Sequence, residues 1–301
     1  MSAPLGRSVD PQHPESVRAG VAEIVAEFAI PDDGRPVVVA DLPYPYHTST
    51  GMVANPVVVG AVVETLRDAT DGPVGLAVST GDHADADRAA SLVGYDERVE
   101  AAGDAGTGDA RTGGVERLDL RPGETPDRTV TVDGGERTVD VPAALVDRPV
   151  VAVPSLRYGT DAPVATATAT VARHARVSPT AARSVAAAAL AVDPAGAVLD
   201  GTYSYTGEPR ATGVVVGGDA PVVDRFAAWL VGVDPGDVPA LAALPGPDEP
   251  PRLRSIDAGA IRASLPRGPR PTRGTPGPAV RRAYRLYTDL TGDAYPPQLD
   301  P

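Results

Sequence analysis

The chain has 301 residues, with 40 Asp and Glu against 27 basic residues and a net charge of −13, and every basic residue is Arg because no Lys occurs. Such acidity argues against nucleic acid and anionic membrane as partners, since both need a basic surface, and it points to a high-salt habitat where a hydrated acidic surface resists association. The absence of Cys and Lys excludes disulfides, thiol nucleophiles, Cys-bound zinc or iron–sulphur clusters, Schiff-base chemistry and a phosphate-loop lysine.

Met1 to Pro14 reads as a loose leader without a basic-then-apolar signal pattern, and the longest apolar stretch, Val185 to Val192, is too short to cross a bilayer. A cytoplasmic location is the expectation. Glu15 to Phe28 follows a helical period, with Val17, Val21, Ile24 and Val25 on one side. The apolar run Val37 to Ala40 then ends in Tyr44, Tyr46, His47 and Thr48. Asn55-Pro56 opens a helix to Asp68, because Asn caps well and proline suits the first turn. Val74 to Val78 runs into Ser79, Thr80, Asp82 and His83, followed by helical material from Asp87 to Ala102 and a loop over Gly103 to Gly114.

Alternating residues on either side of Asp133-Gly134-Gly135 predict a hairpin over Thr129 to Val141. Val150 to Val153 leads into Ser155, Arg157 and Tyr158. Alanine-rich helices are predicted over Pro163 to His174 and Pro179 to Val192. Ala197 to Leu199 runs into Asp200, Tyr203 and Tyr205, and Val214 to Val216 into Gly217, Gly218 and Asp219. A helix over Ala220 to Val231 follows, with another opening at Asp234-Pro235. Pro245 to Pro278 is rich in Pro, Gly and Arg, reading as an extended wrap or flexible tail with a short helix near Ala258 to Ser264. Ala279 to Leu290 is predicted as a last helix.

Short apolar runs separated by helices specify an α/β fold: a mostly parallel, mixed sheet covered on both faces, with a β-hairpin insertion and a Pro-rich C-terminal tail. Residues 15–244 form the α/β domain in this reading and 245–301 the tail. Ligands in such folds sit outside the carboxyl ends of the strands, where the polar clusters fall.

Asp200-Gly201, Gly207-Glu208-Pro209, Gly213, Asp219-Ala220-Pro221-Val222-Val223-Asp224, Val231-Gly232-Val233-Asp234-Pro235 and Val238-Pro239 together resemble the closing segment of domain of unknown function family 362. Val37 to Ala40, Asn55-Pro56, Gly81-Asp82 and Gly94-Tyr95 extend the likeness more loosely over about residues 15 to 245. The family is uncharacterised and often found in iron–sulphur proteins, so the resemblance implies no set reaction. Three of its elements differ here. Ala40-Asp41-Leu42-Pro43 stands near its Lys-Pro-Asn element, Arg157 replaces the Lys of its Leu-Lys-Thr-His element, and Thr166 to Arg173 lacks its Lys-Asn pair.

The candidate residues each admit two readings. Tyr44, Tyr46, His47 and Thr48 form a hydroxyl-rich loop that contacts a ligand or packs its rings on the sheet end. The run Ser79 to Asp87 holds metal-capable oxygens, yet lacks the calcium-loop and zinc-hydrolase patterns and reads first as solvated surface; no metal and no cofactor are implied. Arg157 beside Tyr158 holds a carboxylate or phosphate bidentately, or makes a structural ion pair. Tyr203 and Tyr205 are site residues or sheet-edge packing. Asp219 reads first as a helix cap, with Gly217 and Gly218 as an alternative anion cradle. Asp224, among apolar residues, needs a partner such as Arg225 or a polar group across the sheet. His13 and His174 read as surface or helix-face residues, and Trp229 as core.

The leading expectation is a protein that binds a small polar or anionic molecule at the strand ends, with His47 and Asp82 as proton-transfer groups if it is an enzyme. The competing expectation is a non-catalytic partner or assembly protein of a redox complex, carrying no iron–sulphur cluster itself.

Overall fold

The structure, a computed structural model, describes residues 3–80, 85–98, 114–120, 125–159, 162–178, 180–246 and 252–268. Asp82 and His83, most of the loop expected over 103–114, and the helix expected over Ala279 to Leu290 lie outside the described residues. The strands are β1 (Leu5–Ser8), β2 (Val37–Asp41), β3 (Val74–Ser79), β4 (Val115–Leu118), β5 (Asp127–Val132), β6 (Gly135–Asp140), β7 (Val150–Val153), β8 (Ser155–Arg157), β9 (Gly196–Tyr205) and β10 (Pro209–Gly218). The helices are α1 (Pro14–Val25), α2 (Pro56–Ala69), α3 (Ala86–Val93), α4 (Ala143–Val146), α5 (Ala167–His174), α6 (Ala182–Val192), α7 (Ala220–Leu230), α8 (Pro239–Ala242) and α9 (Ala258–Ser264).

Eight strands make one mixed sheet in the order β1-β10-β9-β7-β2-β3-β4, with β8 extending beyond β7 along the far half of β9. The pairings of β2 with β3 and β7, β3 with β4, and β9 with β7 and β8 are all parallel. Both sheet faces are covered. Val37, Val39, Ala152 and Leu199 face α5, α6 and α7 through Val171, Ala187 and Phe226. Val38, Ala40, Val151 and Val198 face α1 and α2 through Val21 and Val62. Alternate residues of one strand thus enter opposite cores, which is why these runs carry no polar positions.

Local chemistry places the elements. Asn55 accepts from the Val57 amide and Pro56 fills the first turn of α2. Asp133 and Gly134 take φ of 50° and 74°, the paired left-handed conformation of a tight hairpin turn, and join β5 to β6. The hairpin packs on α6 and buries Val132 and Val139.

Two expectations are corrected. The leader contains β1, an edge strand antiparallel to β10. Strands β9 and β10 form an antiparallel hairpin, Tyr205 opposite Pro209 and Ala197 opposite Gly218. The chain therefore reverses, and Gly218 and Asp219 stand at the amino ends of the parallel strands. They do not share the rim occupied by Arg157 and Asp200. Of the two readings of the tail, its described part, 252–268, takes the extended wrap, with α9 where the short helix was expected: Arg254 bridges to Leu5, Leu253 and Ile256 pack on the core, and the Gly268 amide donates to the Thr206 carbonyl at 2.9 Å. Trp229 is half-buried, stacked on Phe226 and covered by the Arg262 guanidinium 4.6 Å from its ring centre.

Candidate functional site

The carboxyl ends of β2, β8 and β9 lie together, and a charged cluster is buried there. Asp41 closes β2 and Arg157 closes β8; each is 1% exposed. Arg157 donates through Nε to Asp41 Oδ2 at 3.1 Å and through Nη2 to Oδ1 and Oδ2 at 3.1 and 2.9 Å. Its Nη1 donates to the Tyr158 carbonyl at 3.1 Å. A second guanidinium, Arg173 in the last turn of α5, donates from Nη1 to Asp41 Oδ1 at 2.8 Å. Burial works to raise the Asp41 pKa, but the charges of Arg157 and Arg173 and their hydrogen bonds hold it below its ordinary value. Asp41 is therefore a carboxylate, and the trio carries one excess positive charge.

Beside the trio lies a cavity of about 300 Å³ bordered by Arg157, Arg173 and Thr166, with apolar walls that include Val164, Val185 and Val238. Arg173 retains 18% of its side-chain surface. Among the described residues its Nε and Nη2 have no hydrogen-bond partner. These two groups form the side-on edge of a guanidinium, the one that grips two oxygens of an oxyanion at once.

The start of α5, which also borders this region, is closed to anions from outside. Asp224 Oδ1 accepts from the Ala167 amide at 2.6 Å, and its Oδ2 accepts from the Thr168 amide at 2.9 Å and the Thr168 hydroxyl at 2.6 Å. Thr166 caps the Ala169 amide at 2.9 Å. Asp224 thus belongs to the fold: its partner is a helix amino end, where a negative charge is favourable. Arg225 turns away to the Leu241 and Leu244 carbonyls. Burial raises the Asp224 pKa to about 6, against the opposing pull of Thr168 and Ala167.

Asp200 is likewise occupied. Its Oδ2 accepts from the Asn55 amide at 2.6 Å, and Oδ1 from the Thr202 amide and hydroxyl at 2.9 and 2.7 Å. Burial raises its pKa, these donors lower it, and nearby Asp41 raises it further, leaving it above the ordinary value. The arrangement pins the start of α2 to β9.

Tyr44 is buried and Tyr46 half-buried, their rings 5.0 Å apart and tilted by 55°. The Tyr46 hydroxyl is buried and unpartnered among the described residues; burial first, then Tyr44, raise its pKa, so it stays a phenol. Arg157 and Tyr205 lie within its electrostatic reach. Tyr158 sits in the core with Leu156, while Tyr203 and Tyr205 are half-buried along β9. His47 is exposed, and its Nδ1 lies 2.8 Å from Ser49 Oγ, capping the one-turn helix Thr48–Thr50. That turn packs against the far ends of β9 and β10. Thr48 is half-buried within it. Asp219 is exposed and precedes α7 without a side-chain capping bond. Asp85 caps α3 through the Arg88 amide at 2.8 Å. Among the described residues no group of three His, Asp or Glu side chains is placed to hold a metal ion.

Asp41 and Arg173 are the site residues that sequence reasoning missed. A carboxylate closing an otherwise apolar run was the available signal: buried there it demands a cation, and in this chain the cation is Arg. His174, expected on a surface or helix face, is 2% exposed, with Nδ1 2.8 Å from the Thr170 carbonyl and Nε2 3.2 Å from that of Ala77. Burial pushes its pKa down to about 4, against those two carbonyls. It is neutral at pH 7, tying α5 to β3 next to Arg173.

Fold and site together define an α/β protein with a buried Asp41–Arg157 pair at its strand ends, joined by the half-buried Arg173 beside a small cavity. No protein-family model matches the chain, and neither a curated protein nor a solved structure matches it. No described helix is long and apolar enough to cross a membrane.

Proposed function

We propose that this protein binds a small oxyanion at the carboxyl ends of its parallel strands, in the cavity bordered by Arg157 and Arg173. The observation that carries this reading is the divided use of Arg173: Nη1 is held by Asp41 while the side-on edge stays unpartnered beside a cavity. Arg157 is spent on Asp41 and Tyr158, so it positions the carboxylate that orients Arg173. Tyr46 supplies a neutral hydroxyl near Arg157. The reading is one of binding; the exposed, Ser49-bonded His47 lends no support to proton transfer in that cavity.

Kinship with domain of unknown function family 362 stays part of this proposal, supported by physical reasons for the motif residues. A Cβ at Gly201 would meet Val214 Cγ1 at 2.7 Å, and Gly213 has φ of 64°. Asp200 and Asp224 anchor helices. The partner-protein alternative finds less support, because among the described residues Leu92 is the single large apolar side chain left exposed.

The test is a melting-shift screen of the full chain against carboxylates and phosphates, repeated on Arg173→Met. Oxyanions that raise the melting temperature of the parent and lose at least about tenfold in affinity on the variant support the reading. Equal shifts in both proteins refute it.

A further inference from the structure

We infer that the ligand of this cavity is a singly charged carboxylate with a compact apolar body, and not a phosphate; this rests on the oxyanion reading above and sharpens it. Count the donors that border the cavity. Arg157 directs Nε and Nη2 at Asp41 and Nη1 at the Tyr158 carbonyl. The first amides of α5 are taken: Ala167 and Thr168 by Asp224, Ala169 by the Thr166 hydroxyl, Thr170 by the Thr166 carbonyl at 3.0 Å. What is left is one guanidinium edge, which matches the two oxygens of a carboxylate, with the neutral hydroxyls of Thr166 and Thr180 beside it.

A phosphate brings three terminal oxygens as an ester, or four as the free ion, and nearly two charges, and built phosphate sites answer with several backbone amides or more than one cation. Here the cluster beneath offers one excess positive charge, two guanidiniums against Asp41. Asp237 also lines the cavity and opposes a second negative charge. The chain as a whole adds a repulsive net charge of −13. The remaining walls are apolar, including Val164, Ala169, Val185, Val238 and Ala240, and want a hydrocarbon. The volume of about 300 Å³ keeps that body small.

The experiment is calorimetric titration of the full chain with isovalerate, its neutral analogue isovaleramide, inorganic phosphate and valine, on the parent, Arg173→Met and Arg173→Lys. The expected result is that isovalerate binds, isovaleramide and phosphate bind at least about tenfold more weakly, and both variants lose about tenfold or more for isovalerate. The Lys variant keeps the charge but not the edge, so it separates bidentate recognition from charge alone. Phosphate binding as tightly as isovalerate, in an Arg173-dependent way, would overturn this inference and leave the oxyanion reading standing. Valine binding more tightly than isovalerate would also overturn it, in favour of a zwitterion held between Arg173 and Asp237. Isovaleramide matching isovalerate, or no oxyanion binding at all, overturns both.

Discussion

Asp224 offers a prediction whose magnitude follows from its surroundings. It is fully buried, it holds the first two amides of α5, and its pKa is raised to about 6 from an ordinary 3.8. Because the folded value is the higher one, the folded state binds the proton more tightly, and stability falls as pH rises from 3.8 through about 6. The gap of about two pH units, at about 1.4 kcal/mol each, makes the ionised group about 3 kcal/mol less favourable than the neutral acid. Over pH 5 to 7, above the pI of 4.7, the loss is about 1 kcal/mol. Other acids titrate too, so the measurement is a difference: urea unfolding of the parent and of Asp224→Asn at each pH. The amide presents two N–H groups where the carboxylate accepts, so the variant is destabilised throughout by about 1–3 kcal/mol. The stability advantage of the parent over the variant should shrink by about 1 kcal/mol between pH 5 and 7. An advantage that grows with pH would mean that the three donors outweigh burial, and the reasoning would fail.

Two further outcomes test the frame around the cavity. Arg157→Met leaves Asp41 buried with Arg173 as its remaining ion-pair partner and should cost about 3–5 kcal/mol in urea unfolding; adding Asp41→Leu should recover most of that loss, and failure to recover would show that the pair is not the cause. Gly51 has φ of 68°, and a Cβ there would meet the Ser204 carbonyl oxygen at 2.7 Å, so Gly51→Ala should cost about 2 kcal/mol or more and displace the Tyr46–His47 turn; a variant as stable as the parent would mean that the turn moves freely.

The sequence exposed the strands that are buried on both faces, because a run such as Val37 to Ala40 has to be apolar at every position to enter two cores. It exposed the β5–β6 turn because Asp133 and Gly134 both take positive φ, which few dipeptides tolerate. It hid β1, four residues at an edge whose second half faces solvent and so carries no apolar pattern. The direction of β10 was hidden for a different reason. Hydrophobicity records burial, not polarity along the strand, and the Thr206 to Glu208 connection carries no tight-turn dipeptide. One wrong direction moved Gly218 and Asp219 to the wrong border. At the site, Arg157 was visible as a cation after a strand, but its partner lies 116 residues earlier. A contact of that span is written in topology and not in any local motif.

Polar residues at the strand ends do not by themselves make a site, and the three aspartates buried among the described residues show why. Asp200 spends both oxygens on the Asn55 and Thr202 donors, and Asp224 spends both on α5. Both are neutralised by dipoles and hydroxyls, and burial leaves both pKa values raised. Asp41 is instead met by two full positive charges and is held ionised. One carboxylate cannot saturate two guanidiniums, since it can engage only part of ten N–H donors. For Arg157 the surplus goes to the Tyr158 carbonyl, whereas Arg173, which lines the cavity, has no further hydrogen-bond partner among the described residues. Arg157 makes two bonds to Asp41 Oδ2 and one to Oδ1, and Arg173 adds a second bond to Oδ1. The second arginine, which also helps to hold Asp41 ionised, leaves the cluster with one positive charge in excess, and on the proposed reading an oxyanion from outside would complete it.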